Sequence, residues 1–226
     1  MRRRHIALVL PLLFVLSPAT GVVPRAQTPG TLRLYIARHG ETDWNLEHKL
    51  QGWTDRPLNE TGRRQARDLA ESLKGIHLDA VYSSTLSRSI DTANAVAGTS
   101  LVVKHLPGLR ERNYGRFQGQ SDTDPEYLKR GNVWDDAMDG GETLNQLLAR
   151  TRESLDMIRR EHPSGNVLIV SHRITNQMIL RALLGLTPDE TVKIVQGNDE
   201  VYLVEIEPGS TPRLWKLIRE RNLGDL

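Results

Sequence analysis

A three-layer α/β/α sandwich around a mostly parallel, mixed sheet with an antiparallel edge is the fold this 226-residue sequence predicts. Three observations lead there. Strand-like and helix-like segments alternate along most of the chain. Asn166 to Ser171 contains Val167-Leu168-Ile169-Val170, an unbroken apolar run of the kind seen in strands covered on both faces. Near the end, Val201 to Ile206 and Leu214 to Ile218 alternate apolar with polar residues instead, which places an antiparallel pair at the sheet's edge. An apolar fraction of 38% and a charged fraction of 26% are those of one ordinary globular domain, and no internal repeat is visible.

The elements follow in order. Leu32 to Ala37 is a first buried strand, and Pro57 to Lys74 a helix through Ala66, Leu69, Ala70 and Leu73 that stops at Gly75. Asp79 to Tyr82 is a short strand, followed by a helix through Ile90, Ala93 and Ala97 to Gly98 and a strand at Leu101-Val102-Val103. Residues 107 to 141 are rich in Gly and Asp and have little periodicity, so they read as a long functional loop with one short helix near Glu126 to Lys129. Some of its large side chains (Phe117, Tyr127, Trp134, Met138) are expected to wall the leaving group of a ligand, although for Trp134 packing onto the body is preferred. Glu142 to Arg160 is the clearest helix, and Thr175 to Leu184 is another, closed by Gly185.

The first 26 residues differ from the rest. Arg2, Arg3 and Arg4 precede the apolar run Ile6 to Leu16, and small residues offer cleavage after Ala19 or Ala26. This is the pattern of a secretory signal followed by a polar linker at residues 27 to 31, with the domain at 32 to 226 and a periplasmic or secreted product. An uncleaved anchor is the alternative, but the apolar run is short of the roughly 20 residues a membrane helix needs, so no stable insertion is expected after leader removal. Removing residues 1 to 26 takes away four arginines and no acid, so the formal charge moves from +2 to −2 and gives no argument for nucleic acid. The absence of cysteine excludes disulfides, thiolate metal sites and a cysteine nucleophile.

The chemistry gathers at strand ends. The first strand runs into Arg38-His39-Gly40-Glu41, and the strand at 166 to 171 runs into His172. In a parallel sheet both histidines emerge on one rim, where ligands bind. A neutral imidazole is a nucleophile, and fixed positive charge such as Arg38 lets it approach a phosphate dianion. Arg88 lies at the start of a helix behind Ser83-Ser84-Thr85, a plausible anion pocket. Glu111 lies on the long loop between Arg110 and Arg112. Singly, each has a plainer structural reading: a hydrogen-bonded strand-end histidine, a surface arginine, a carboxylate paired with its neighbours. His48, His77, His105 and His162 lack ligand spacing and read as surface residues. No Gly-x-Ser-x-Gly elbow, P-loop or His-Glu-x-x-His occurs.

Together these parts resemble a family. Arg38-His39-Gly40-Glu41-Thr42-x-x-Asn45, Gly52-Trp53-x-Asp55-x-x-Leu58-x-x-x-Gly62, Ser83-Ser84-x-Leu86-x-Arg88, Leu109-x-Glu111-x-x-x-Gly115, Gly141-Glu142-Thr143 and Val170-Ser171-His172 stand in the order and spacing of the histidine phosphatase family. This is the phosphoglycerate mutase-like superfamily, in its short bacterial phosphatase branch, and the resemblance spans residues 32 to about 206.

The resemblance implies that His39 becomes a phosphohistidine, that Arg38, Arg88 and His172 hold the phosphoryl oxygens, and that Glu111 protonates the leaving oxygen and then activates water. Asn45, Gln51, Gly52 and Tyr114 match positions lining the substrate pocket. It implies no cofactor and no metal, the cationic side chains taking a metal's place. Arg173 departs from the family, in which Gly usually follows the second histidine. It is expected to touch substrate, to swing away toward an acid, or to exclude a backbone shape only Gly reaches.

The expected function is an exported, metal-independent phosphatase acting on small phosphomonoesters. A cofactor-primed phosphoglycerate mutase is the alternative enzyme, but only the 26 residues from Gly115 to Gly140 stand where mutases carry a longer basic insertion. A catalytically silent phosphate-ester binding protein is the third reading, disfavoured because binding alone does not need Glu111. Neither the particular ester nor the oligomeric state is legible.

Overall fold

A computed structural model describes residues 30–218; the expected leader at 1–26 and most of the expected linker at 27–31 lie outside the described residues. Six strands form one sheet: β1 (Leu32–Arg38), β2 (Ala80–Ser83), β3 (Val103–His105), β4 (Gly165–Ser171), β5 (Glu200–Ile206) and β6 (Arg213–Ile218). Their order is β3-β2-β4-β1-β5-β6. β3, β2, β4 and β1 run parallel, whereas β5 is antiparallel to β1 and β6 to β5. Among the described residues no helix is long and apolar enough to cross a membrane.

Strand alternation sorts the core into two layers. Leu32, Leu34 and Ile36 of β1 and Val167 and Ile169 of β4 face α5 (Leu144–Glu161) and α6 (Arg173–Leu184), burying Leu155, Ile158, Ile179 and Leu180. Tyr35, Ala37, Leu168 and Val170 point to the other side. There they meet Leu69 and Leu73 at α2 (Glu60–Ser72) and Ala93 and Ala97 of α3 (Ser87–Ala97). Both faces of the central strands are thereby covered, which is why β4 can be wholly apolar at its centre.

Several boundaries move for local reasons. The helix expected from Pro57 begins at Glu60, because Asn59 caps it by accepting from the Gly62 N–H at 2.8 Å. The strand expected at 101–103 is β3 at Val103–His105: Val102 is 88% exposed and only Val103 pairs with Val81. The helix expected from Thr175 starts at Arg173. Two single-turn helices, α1 (Asp43–Leu46) and α7 (Pro188–Thr191), are too short for periodicity to reveal. Each is closed by a capping box, Thr42 with Asn45 and Thr187 with Glu190.

The loop from 107 to 141 contains α4 (Pro125–Arg130), close to the helix expected at 126–129, and two single 3₁₀ turns. Its apolar residues form their own cluster with Leu144, Leu147, Ile174 and Met178.

One close approach shapes the rim. A Cβ on Gly62 would lie 2.0 Å from the Glu41 carbonyl oxygen, and one on Gly40 2.3 Å from the Gly62 carbonyl oxygen. Only two glycines let α2 press against the loop that carries His39.

Candidate active site

β1 and β4 pair in register, Arg38 opposite Ser171, so the residues that follow them leave at the same height. The His39 N–H donates to the Ser171 carbonyl at 3.0 Å, extending the ladder one residue past the strand. The two rings consequently meet, with centroids 5.0 Å apart and planes tilted by 56°. From here β1 connects toward β2 on one side of the sheet and β4 toward β5 on the other, the switch point where open α/β sheets bind ligands.

The His39 ring is oriented by its own loop. Its Nδ1 lies 2.7 Å from the Gly40 carbonyl, which can only accept, so Nδ1 carries the proton and Nε2 the lone pair. Gly40 is held in turn by its N–H on Thr92 Oγ1 at 3.0 Å, and the His39 carbonyl accepts from Asn198 Nδ2 at 2.7 Å. His172 is fully buried and bonds Ser84 Oγ through Nε2 at 2.8 Å. Ser84 Oγ already accepts from the Leu86 N–H at 3.2 Å, which directs its hydroxyl proton to Nε2. Nδ1 of His172 then bears hydrogen, and it has no partner among the described residues. Burial first, then the charges of Arg88 and Arg38 among its neighbours, hold the His172 pKa well below 6.5, so the ring is neutral at pH 7.

Two guanidiniums share the cavity with His39, Arg88 fully buried and Arg38 half-buried. Arg88, with no exposed surface, donates through Nη2 to the Gly52 carbonyl at 2.8 Å and through Nη1 to that of Thr54 at 3.1 Å, leaving Nε buried without a partner among the described residues. Arg38 donates to the Gln196 carbonyl at 3.0 Å. Burial is the main cause that lowers both arginines to about 10, so both stay charged at neutral pH. Arg88 is thus no surface arginine.

Glu111 is also buried, and neither flanking arginine pairs with it. Arg110 turns to Thr85 Oγ1 and to the Trp53 ring. Arg112 is tied to the carbonyls of Glu142, Gly131 and Asp136 at 2.6–2.8 Å. The Glu111 carboxylate accepts from the backbone N–H groups of Arg112, Ile174 and Thr175 at 3.0–3.3 Å and so caps the first turn of α6.

The backbone beneath Glu111 is clamped by Arg150 of α5. It donates to the carbonyls of Gly108, Arg110 and Glu111 at 2.8–2.9 Å and bidentately to Glu142 at 2.6 and 2.8 Å.

Above the rim opens a cavity of about 310 Å³ lined by Arg38, His39, Arg88 and Glu111, together with Asn45, Gln51, Gly52 and Tyr114. His172 adds no lining surface and joins the site through its ring contact with His39. The expected leaving-group wall is corrected. None of Phe117, Tyr127, Trp134 and Met138 lines the cavity; they belong to or pack against the loop's own cluster, where Phe117 and Met138 are fully buried. A 26-residue loop must bury its own apolar surface to hold a shape, and these side chains do that. Trp134 packs on the body beneath the Arg181 guanidinium, 4.8 Å from its ring.

Val195, Gln196, Gly197 and Asn198 close the remaining side of the cavity and were not singled out from sequence. Gln196 bonds the backbone of Ile36 and Glu200 and the side chain of Asn176 at 2.7–3.0 Å, which welds this segment to β1. A polar run between α7 and β5 was the only signal. Of the histidines set aside, His48 reaches the cavity's mouth. His105 and His162 bond Ser83 and Tyr82 at 2.7 and 3.0 Å.

Paired rim histidines and two guanidiniums lining a small cavity make a site suited to a compact anion. The chain belongs to branch 1 of the histidine phosphatase superfamily, whose family model matches residues 34–223. It is 35% identical to the uncharacterized phosphatase PhoE of Bacillus subtilis over 68% of this chain and 78% of that one. It is 32% identical to a metal-independent phosphoserine phosphatase of Arabidopsis thaliana over 76% and 79%. Among solved structures it is similar to a mycobacterial glucosyl-3-phosphoglycerate phosphatase, with TM-score 0.73, 28% identity and coverage of 83% of this chain and 98% of that one.

Proposed function

We propose that the protein hydrolyses small phosphomonoesters through a covalent phosphohistidine at His39. The observation that carries this reading is the tautomer of His39. The Gly40 carbonyl leaves the lone pair on Nε2, beside two guanidiniums that stay charged. In the first step Nε2 attacks phosphorus, the P–O bond to the leaving group breaks, and Glu111 gives that oxygen its proton. In the second step Glu111 takes a proton from water, whose oxygen attacks phosphorus and releases His39 and inorganic phosphate. Arg38, Arg88 and the Nδ1–H of His172 supply the donors for the phosphoryl oxygens, whose charge grows more crowded in the transition state. Asn45, Gln51, Gly52 and Tyr114 form the surrounding wall. Relatives named as phosphatases support the reading.

Turnover of p-nitrophenyl phosphate in EDTA is expected for the wild type and absent in His39→Ala. Rapid-quench labelling is expected to leave an acid-labile, base-stable phosphate on His39. Equal turnover by both proteins would end the proposal. Export is part of the same proposal and rests on the arginines and apolar run at the start of the sequence. Recovery of the full-length product in the cytoplasmic fraction alone would remove it.

A further inference from the structure

Arg173 carries a charge that no group among the described residues pairs with directly. It is the first residue of α6, where the peptide dipoles disfavour a cation. Its helical backbone asks for no glycine, so the third expectation for this position falls away. The second falls too: among the described residues its guanidinium has no hydrogen-bond or ion-pair partner, and Arg173 is not one of those with further interactions. Its neighbours are otherwise engaged. Lys49 pairs with Glu47 at 2.6 Å, and Arg110, Arg112 and Arg150 are tied to hydroxyl, carbonyl and carboxylate oxygens. Arg173 instead lines the cavity, and its charge is close enough to Arg38 to push that group's pKa down. The carboxylates of Glu111 and Asp122 on the same cavity favour its charge, but neither is within ion-pair distance, so among the described residues the guanidinium keeps its donors available to a ligand.

Its place in the chain says which part of a substrate it meets. The two residues after it, Ile174 and Thr175, donate their backbone N–H groups to Glu111. Arg173 therefore stands beside the group proposed to protonate the leaving oxygen. The cavity, at about 310 Å³, is at the small end of ligand pockets. Of the other cations on the wall, Arg38 and Arg88 are assigned to the phosphoryl group and Lys49 is paired with Glu47.

We infer that Arg173 recognises a second anionic group, carboxylate or phosphate, carried by the leaving group a few bonds from the ester oxygen. The substrate class is then a phosphomonoester with an additional negative charge. This rests on the phosphatase reading of the same site.

The test uses matched pairs. 3-Phosphoglycerate is set against glycerol 3-phosphate, and 1,3-propanediol bisphosphate against its monophosphate, with wild type and Arg173→Gln. In at least one pair the wild type is expected to favour the charged member in kcat/KM by about tenfold or more, the scale of one charge-assisted contact. Arg173→Gln is expected to bring that ratio close to one, and the pair that responds identifies the group. Ratios unchanged by the substitution in both pairs would overturn the inference. Arg173→Ser gives the same reading should the Gln variant not fold. Calorimetric affinities for the same pairs, measured in His39→Ala with and without Arg173→Gln, need no turnover. An inactive wild type that still shows the Arg173-dependent affinity difference would sink the phosphatase reading and keep this one.

Discussion

Arg150→Met removes five N–H···O bonds at once and tests how the candidate acid is held. The arginine joins α5 to the backbone at Gly108, Arg110 and Glu111, and its other half is the bidentate pair with Glu142. Both side chains are largely but not wholly buried, 19% and 12% exposed. Deleting one partner of a buried pair costs about 3–5 kcal/mol, chiefly because the other charge is stranded. Residual hydration puts this case near the lower figure, about 3 kcal/mol. For a domain of this size that corresponds to a fall of roughly 6–12 °C in melting temperature. The assay is urea unfolding read with turnover, a shifted midpoint at constant slope marking lost stability. Glu142→Gln added to Arg150→Met removes the stranded charge and is expected to recover about half of the stability, a coupling a double-mutant cycle isolates. Activity is not expected to recover, since the three carbonyls beneath Glu111 remain unheld. A loss below about 1 kcal/mol, or a double variant no more stable than the single, would refute the clamp.

Two further outcomes follow from the same geometry. Glu111→Gln is expected to slow esters of alkyl alcohols by about 10²–10³-fold while slowing p-nitrophenyl phosphate far less, because nitrophenolate leaves without a proton. Equal losses on both would remove Glu111 from the role of acid. For His172, burial depresses the folded pKa below 6.5, so from about pH 6.5 down to that folded value the unfolded chain binds more protons. Stability is therefore expected to fall as pH drops below about 6.5, and His172→Gln to flatten that part of the curve of melting temperature against pH. Identical slopes in the two proteins would contradict a buried neutral ring.

Much of the site was legible because its residues sit at strand and helix ends, where spacing along the chain already signals position. Arg38-His39 and His172 follow the two apolar runs that pair as β1 and β4, and Arg88 follows β2 by five residues. The aromatics of the long loop misled for the opposite reason. Phe117 and Met138 stand among polar residues, and nothing in their spacing says that they meet Leu144 and Met178 across the loop. Gln196, Asn198 and Arg150 escaped notice because their work is done on backbone carbonyls, which leave no pattern in the residues they serve.

The amino-acid order by itself determined the alternation of elements, the covered central strands and the antiparallel edge, because periodicity and apolar runs are local properties that burial must respect. Which ring nitrogen of His39 keeps its lone pair, which arginines are already occupied and which one faces the cavity unpartnered among the described residues were decided only by tertiary structure. Those outcomes depend on partners supplied by other segments of the chain: Thr92 and Asn198 hold the loop whose Gly40 carbonyl orients the His39 ring, and Arg88 spends its N–H groups on Gly52 and Thr54.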